Sequence, residues 1–253
     1  MPGISVAVIT KNESANIARC LESVQDIADE LVVVDSHSTD NTREIAESFG
    51  ARVILQSFLG YKEQKEFAKQ QCRNTWILSL DADEALSVEL RDAIRNARFT
   101  DFDAFQMSRL SRFCGQWIKH GSWYPDKKIR LFHRDSGYWG GHNPHDKYIL
   151  LEGKKLGQLK GDILHYTFES FEQHQRQIEH FSTVSAQAML ARGKKSNWLK
   201  PYYKSAFRFF RNYILKAGFL DGTMGLYIAR TSAVAVFKRY SKLQQLLNGE
   251  KLG

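Results

Sequence analysis

The chain has 253 residues, 43% of them hydrophobic, and a formal net charge of +8. The length suits one large domain or a domain with an extension, and the apolar content excludes a disordered chain. The three dispersed cysteines form no disulfide framework or metal-ligand pattern. No signal segment precedes the first apolar run, and no run reaches the ~18 apolar residues of a membrane span. We therefore expect a cytoplasmic protein.

The first hundred residues alternate between strand and helix signals. Short, nearly continuous apolar runs predict buried strands at 4–9, 31–34, 51–55 and 75–80. Amphipathic or capped segments predict helices at 14–27, 38–49 and 61–72. This alternation predicts an α/β fold with a mostly parallel sheet and helices on both faces.

The rest of the chain changes character twice. Residues 99–168 are rich in Trp, Tyr, Gly and His, with predicted strands at 102–109, 128–133 and 158–164. Residues 169–253 have a helical pattern with breaks near 193–198 and 218–222. We therefore predict a domain over 1–168, made of halves 1–98 and 99–168, followed by a helical extension over 169–253.

Polar segments follow three of the predicted parallel strands, at 12–13, 35–36 and 81–83. Right-handed crossovers place such segments along one edge of the sheet, where ligands bind. Asp81 and Asp83 are two residues apart, so in an extended strand they point the same way and can hold one hard cation. An acidic turn with solvated charges is the alternative. Asp35 suits a contact with a ring N–H of a base, with an Asx turn as its alternative.

Two common phosphate-binding motifs are absent from the sequence. No Gly-x-Gly-x-x-Gly follows the first strand, and no Gly-x-x-x-x-Gly-Lys-Ser/Thr occurs. With few glycine amides to hold phosphates, a metal ion and basic side chains must do so. Lys62 and Lys65, after Gly60, are candidates, although solvated lysines on a helix are an equal explanation.

Residues Thr10-Lys11-Asn12-Glu13, 34–40 (VDSHSTD) and 80–84 (LDADE) resemble the three nucleotide-sugar signatures of family 2 glycosyltransferases. Segments 60–65, 121–126, 130–132 and 164–167 are similar to the bacterial lipopolysaccharide inner-core β-1,4-glucosyltransferase subgroup. The resemblance covers nearly the whole chain. It implies the GT-A (nucleotide-diphospho-sugar transferase) fold and a metal-dependent, inverting transfer of glucose from UDP-glucose to a heptose of the lipopolysaccharide inner core.

The resemblance also implies roles for single residues on the donor side. Asp35 would bind uracil, and Asp83 would coordinate Mg or Mn at the diphosphate. Asp81 would lie near the ribose or the metal, and His165 is a further candidate ligand. The nucleotide-sugar contacts would come from Thr10, Asn12, Glu13, Asp35, Lys65 and Asp81.

On the acceptor side the resemblance implies a carboxylate that acts as general base on the acceptor hydroxyl. Asp146 is the candidate, in a segment where relatives often have His-Glu and this chain has His145-Asp146. Asp has a shorter reach than Glu, and pairing of Asp146 with Lys147 or His145 on the surface is the alternative. Acceptor contacts are predicted for Trp123, Tyr124, Asp126, Arg130 and His145, against core aromatics and local ion pairs as alternatives.

The C-terminal part carries the positive charge: residues 151–253 hold 17 Lys and Arg against 7 Asp and Glu, a balance of +10. Within 198–216 a basic stripe lies beside an aromatic one, formed by Lys200, Lys204, Arg208 and Arg211 and by Tyr203, Phe207, Phe210 and Ile214. This pattern is typical of a helix on an anionic membrane surface. Packing on the catalytic domain is the alternative. We expect a peripheral protein on the inner face of the inner membrane.

Two other functions remain open at this point. The same fold can act on another cell-surface polysaccharide or glycolipid. The basic, aromatic C-terminal part also suits a nucleic-acid-binding module, but no nucleic-acid motif is visible, so no nucleic acid partner is expected.

Overall fold

The computed structural model describes residues 2–142 and 145–250, without the side chains of His142 and His145. Its eleven strands, numbered along the chain, are β1 Ile4–Thr10, β2 Glu30–Asp35, β3 Arg52–Leu55, β4 Trp76–Asp81, β5 Glu84–Leu86, β6 Ala104–Phe113, β7 Gln116–Trp117, β8 Asp126–His133, β9 Gly137–His142, β10 His145–Leu150 and β11 Leu156–Phe168. Its seven α-helices are α1 Ile17–Glu22, α2 Thr42–Ser48, α3 Tyr61–Gln71, α4 Val88–Arg95, α5 Phe171–Ala191, α6 Lys200–Phe210 and α7 Gly222–Leu247.

Nine strands form one sheet in the order β3-β2-β1-β4-β8-β6-β11-β5, with β7 paired to β6. The first four strands in this order are parallel. Pairing is antiparallel between β4 and β8, β8 and β6, β11 and β5, and β6 and β7. The sheet is therefore parallel on the side predicted from the strand–helix alternation and antiparallel on the other. The α/β fold class predicted from the sequence is confirmed.

β1 lies at the centre of the parallel half and all seven of its residues are buried. Its alternate side chains enter two cores. Ile4, Val6 and Val8 pack with residues of α1, α2 and α4 on one face, and Ala7 and Ile9 pack with α3, β9 and β10 on the other. Burial on both faces is why this strand is mostly apolar rather than alternating, with Ser5 and Thr10 as its polar residues.

The predicted elements of the first hundred residues all occur, although α1 is shorter than its predicted range of 14–27. Gly50 has a φ of +76° just after α2, the left-handed conformation that favours glycine at a helix end. Five elements were not predicted: β5, α4, β7, β9 and β10. At the start of α4 the Ser87 hydroxyl accepts a hydrogen bond from Leu90 N and caps the helix.

Two compact units divide the chain, Met1–Leu110 with Asp126–Tyr166 and Ser111–Pro125 with Thr167–Gly253. The predicted boundary after 168 thus differs from these units, because 111–125 groups with the C-terminal helices. Within that second unit, Phe113, Ile118 and Ile228 form a small core. The predicted breaks are confirmed: α5 ends at Ala191, and a π-helical turn and a 3₁₀ turn (Gly218–Asp221) separate α6 from α7.

The described helices include none that is both long enough and apolar enough to cross a bilayer.

We predict that Leu90→Ala lowers the free energy of unfolding by about 2–5 kcal/mol, because Leu90 is fully buried in the core beneath α4 and its truncation leaves a cavity. Val88→Ala in the same helix is the matched control. Val88 is 65% exposed, so a change within about 0.5 kcal/mol is expected. Urea unfolding measures both, and equal losses would contradict the assigned inward face of α4.

Candidate active site

The parallel strands bring three predicted site residues to one edge of the sheet. Thr10 at the end of β1 is paired with Asp35 at the end of β2, and Ile9 is paired with Asp81 at the end of β4. The prediction that the polar segments after these strands meet is confirmed.

The loops after β1 and β2 hold each other. Asn12, at a φ of 54°, donates its backbone N–H to the Ser38 hydroxyl, and its side-chain oxygen accepts from Thr39 N, each at 2.8 Å. Glu13 N donates to the Thr42 hydroxyl at 2.8 Å. Burial raises the pKa of the Glu13 carboxyl, and an Asn16 hydrogen bond partly offsets this. These contacts fix the backbone beside the end of β1.

Asp35 is fully buried and shapes its own loop. Its two carboxylate oxygens accept hydrogen bonds from the backbone N–H and the hydroxyl of Ser38. This is the Asx-type turn weighed above as the alternative. A contact between Asp35 and a nucleotide base stays a prediction.

A chain of ion pairs with alternating signs crosses this edge of the sheet. We call it the ion network, and it runs through Asp146, Lys65, Asp81, Arg130, Glu84, Arg109 and Asp126. Lys65 Nζ lies 2.9 Å from Asp146 Oδ2 and 3.0 Å from Asp81 Oδ1. Arg130 continues the chain, with its Nη2 3.0 Å from Asp81 Oδ2 and 3.1 Å from Glu84 Oε1.

Glu84 is the most deeply buried carboxylate in the ion network. Its side chain is fully buried, and Arg109 Nη1 also lies 3.2 Å from its Oε1. Its second oxygen accepts from Asp81 N at 3.0 Å. Arg109 then pairs with Asp126 at 2.8 Å. Glu84 thus joins the two arginines and fixes the backbone at the end of β4.

The surrounding charges keep these carboxylates ionised. Burial acts to raise the pKa of the Asp81 carboxyl, but Lys65 and Arg130 outweigh burial and hold that pKa well below its usual range. In the same way, burial acts to raise the pKa of Glu84, and Arg130 and Arg109 reverse the shift and lower it. The carboxylates reciprocally raise the pKa of Arg130 against its burial.

The local structure explains how each cation reaches this place. Lys65 is buried in α3, which begins after Gly60, a residue with a φ of 127°. Arg130 lies in β8, between the partly buried Ile129 and the buried Leu131. The Trp139 ring of β9 packs over both cations, with its centroid 5.0 Å from Lys65 Nζ and 5.6 Å from the Arg130 guanidinium carbon.

Asp83 differs from Asp81 in its surroundings. The strand ends at Asp81 and the chain turns at Ala82 and Asp83, so the extended geometry assumed for two parallel carboxylates is wrong. Asp83 Oδ2 lies 3.1 Å from His165 Nε2. β11 brings His165 there, because its antiparallel pairing with β5 sets His165 opposite Glu84.

Asp83 and His165 fit the requirements of a divalent cation. Neighbouring ligands around an octahedral ion with bonds of about 2.1 Å are about 3 Å apart, which matches this pair. The described residues contain no cluster of three or more His, Cys, Asp or Glu side chains that could hold a metal. Two protein ligands suit an ion that takes its other ligands from phosphates and water, as Mg²⁺ usually does. Asp81 as a third ligand stays a prediction, since its oxygens face Lys65 and Arg130.

The predicted acceptor residues fall in both units. In the second unit, Trp123 packs edge-on against Phe113 within the aromatic core, with the two ring centroids 5.7 Å apart. Tyr124 is partly buried. In the first unit, Asp126 and Arg130 belong to the ion network. The side chain of His145 lies outside the described residues. Acceptor contacts of all five remain predictions.

Trp139 was predicted from the sequence as a ring that could stack on a sugar face, with a core aromatic as the alternative. No role was predicted for the charged residues Glu84 and Arg109, although Glu84 is part of the LDADE segment. Their partners are 25 and 46 residues away along the chain, and no local pattern identifies them.

The model of the family described as glycosyl transferase family 2 matches residues 5–227. The chain belongs to glycosyl transferase family 2. A glycosyltransferase of Rickettsia typhi is 34% identical over 97% of this chain and 88% of its own length. The lipopolysaccharide core biosynthesis glycosyltransferase LpsC of Rhizobium meliloti is 27% identical over 96% of this chain and 92% of its own. The predicted family is confirmed, and with it a glycosyl-transferring enzyme with the GT-A fold.

Two solved structures are similar at a lower level. TarS of Staphylococcus aureus matches 99% of this chain and 93% of that chain with a TM-score of 0.47 and 16% identity. Glucosyl-3-phosphoglycerate synthase of Mycobacterium tuberculosis, in complex with Mn²⁺ and UDP, matches 44% of each chain with a TM-score of 0.36 and 23% identity.

We predict that Arg130→Met lowers the free energy of unfolding by about 3–5 kcal/mol, because it leaves the buried carboxylates of Asp81 and Glu84 without their shared cation. Arg98→Met is the control. Arg98 is 82% exposed and faces Asp101 at 3.8 Å, so its loss should cost about 0–1 kcal/mol. Guanidinium unfolding curves give both values, and a small loss for Arg130→Met would show that the ion network adds little to folding.

Proposed function

We propose that this family 2 enzyme transfers glucose from UDP-glucose to a heptose of the lipopolysaccharide inner core, with inversion at the anomeric carbon. The observation that carries the proposal is the cluster at the sheet edge, where Lys65 and the carboxylates Asp81 and Asp146 meet within 3.0 Å contacts. The similarity to LpsC, which is named for lipopolysaccharide core biosynthesis, supports the acceptor class.

The donor would bind along the ends of β1, β2 and β4. Thr10, Asn12 and Glu13 form the edge beside Asp35, which faces the uracil in this proposal. The buried hydroxyl of Thr10 has no hydrogen-bond partner among the described residues, which supports a polar ligand there. Asp81 would contact the ribose, and Lys65 the diphosphate.

A divalent cation, Mg or Mn, would be held by Asp83 and His165. Bound there, it would offset the negative charge that develops on the departing diphosphate. The rest of the chemistry falls to the chain's own side chains. Lys65 places a second positive charge on the same edge of the sheet, in a water-poor setting where such a charge is effective.

Asp146 would act as the base. The acceptor hydroxyl oxygen forms its bond to the anomeric carbon as the bond from that carbon to the diphosphate oxygen breaks. UDP leaves with the bonding electron pair, and the hydroxyl proton moves to the Asp146 carboxylate. The side chain of Asp146 is about nine-tenths buried, at 10% exposure, which limits competition from water as a proton acceptor.

We predict that Asp83→Asn removes the metal-dependent part of UDP binding, because it removes the anionic ligand of the proposed ion. A thermal-shift panel of UDP, GDP, CMP and TDP sugars, with Mn²⁺ or with EDTA, measures this. UDP-sugars with metal should raise the melting temperature most. Asp101→Asn, which removes a carboxylate at the surface, is the control and should bind like the parent. A metal-independent shift in the parent would contradict the metal role.

We predict that Asp146→Asn does not weaken UDP-glucose binding but lowers transfer about a hundredfold or more, because it removes the proton acceptor and leaves the donor site in place. UDP release in the presence of a heptose-containing acceptor measures transfer. If the enzyme transferred glucose only to a different glycan, the role of Asp146 as the base would stand and the proposed heptose acceptor would be wrong. Unchanged turnover in Asp146→Asn would exclude Asp146 as the base.

We further propose that the second unit binds an anionic bilayer as a peripheral membrane surface on the cytoplasmic side. Four residues along α6 and the π-helical turn that follows it form the aromatic stripe of the sequence analysis: Tyr203, Phe207, Phe210 and Ile214 are 53%, 59%, 50% and 46% exposed. Trp198, Leu215 and Leu220, in the segments before and after α6, are also exposed. A contiguous apolar face of this kind marks an interaction site.

The charge around the stripe favours lipid as the occupant. Lys204, Arg211 and Lys216 are exposed beside it, and residues 151–253 carry a balance of +10 from 17 basic and 7 acidic residues. Aromatic rings flanked by basic side chains suit the headgroup region of an anionic membrane. An acceptor that is itself carried on a lipid would then lie on the same surface.

We predict that Phe207→Ser with Phe210→Ser abolishes cosedimentation with phosphatidylglycerol-containing vesicles, because the apolar anchor is lost. Val88→Ser with Leu151→Ser, which removes exposed apolar residues of the first unit, should cosediment like the parent. Binding should fall with added salt and be weak on phosphatidylcholine alone. Equal binding by both double variants would contradict the assigned surface.

A further inference from the structure

Lys65 Nζ is shared between two carboxylates with different proposed roles. It lies 2.9 Å from Asp146 Oδ2, on the proposed base, and 3.0 Å from Asp81 Oδ1, on the donor side. The lysine side chain is only 4% exposed, so water screens these contacts little. Among the described residues, Lys65 is the ion-pair partner that the structure gives to Asp146.

This contact opposes the proposed work of Asp146. The Lys65 ammonium donates a hydrogen bond to Asp146 Oδ2 at 2.9 Å, and so occupies a carboxylate oxygen that the acceptor hydroxyl would need. In the arrangement observed, Asp146 is therefore engaged by Lys65. The same ammonium is also the proposed contact of the donor, because the donor would bring its diphosphate to the edge of the sheet where Lys65 Nζ lies.

We propose that Asp146 and the donor diphosphate compete for Lys65, so that donor binding releases the base. Lys65 would turn from Asp146 to the diphosphate while keeping its contact with Asp81. Asp146 would become a competent proton acceptor only after the sugar donor has bound. This inference rests on the proposed function and adds to it an order, in which the donor binds before Asp146 can accept the proton.

The surroundings of Lys65 suit an exchange of partners. Its ammonium is a point charge on a flexible stem, with no fixed bidentate geometry to break. The Trp139 ring, 5.0 Å from Nζ, packs against the cation without hydrogen-bonding it. Arg130 is held by Asp81 and Glu84 on the far side, so Asp81 keeps a cation when Lys65 moves.

The exchange predicts that Asp146→Asn tightens UDP binding, although this substitution removes the proposed base. Without the competing carboxylate, Lys65 is available to the diphosphate from the start. We expect the Kd of UDP with Mn²⁺, measured by isothermal titration calorimetry on the full chain, to fall about fivefold or more. Lys65→Met should weaken UDP binding, and in that background Asp146→Asn should give no gain.

The remaining variants separate this inference from simpler explanations. Asp101→Asn removes an equal charge from the surface of the same unit and should leave the Kd unchanged. A gain that persists in Lys65→Met would indicate a general field effect and overturn the exchange. Unchanged affinity in Asp146→Asn overturns it too, while the proposed function stands. Failure of the parent to bind UDP would overturn the proposed function itself. Lys65→Gln repeats the cycle if Lys65→Met does not fold.

Discussion

The pairing of buried charges at the ends of β4, β5 and β8 is the constraint on which the site depends. Glu84 has no exposed side-chain surface and Arg130 only 3%. Moving such ions out of water costs several kcal/mol each, and they recover it only if partners are in place. Arg130 and Glu84 are 46 residues apart in sequence, so the sheet must assemble before they pair. The functional edge is thus part of the folding core.

This pairing also separates the two aspartates of the Asp-Ala-Asp segment. Asp81 closes a strand and lies between Lys65 and Arg130, so its position and ionisation are fixed by protein groups. Asp83 lies in the turn that follows, and its side chain is about as exposed as that of Asp81 (27% against 25%), but its ion-pair partner is the imidazole of His165. A carboxylate beside an imidazole, with no lysine or arginine paired to it among the described residues, is suited to an exchangeable ion. One that two cations already neutralise is suited to positioning.

The parallel half of the fold could be predicted because its signal is local. Ile4–Thr10 and Trp76–Asp81 are nearly continuous apolar runs. Gly50 marks the end of α2, which lies directly before it in the sequence. The antiparallel half could be predicted only in part: the strands expected at 102–109, 128–133 and 158–164 occur as β6, β8 and β11, but their pairing and the strands β9 and β10 were not predicted. The β9–β10 hairpin packs Trp139 and Tyr148 onto Phe132, and that face forms only in three dimensions. For the site, the positions of the strand ends were enough to predict where the polar residues meet. They could not predict that Arg109 and Glu84 complete the ion network.

The orientation of α6 bears on what its two stripes mean. Had the helix followed the usual amphipathic rule, its aromatic stripe would be buried and its basic stripe exposed. Instead, Tyr203, Phe207 and Phe210 are about half exposed, whereas Arg208 is partly buried, and burial together with Arg239 and Arg211 lowers its pKa. Exposing aromatic area to water forfeits about 25 cal/mol for each Å² that could have been buried. Leaving this aromatic area open while part of a cation is buried is unfavourable in water. The proposed contact with an anionic bilayer would cover the aromatic stripe and leave the neighbouring basic side chains near lipid phosphates.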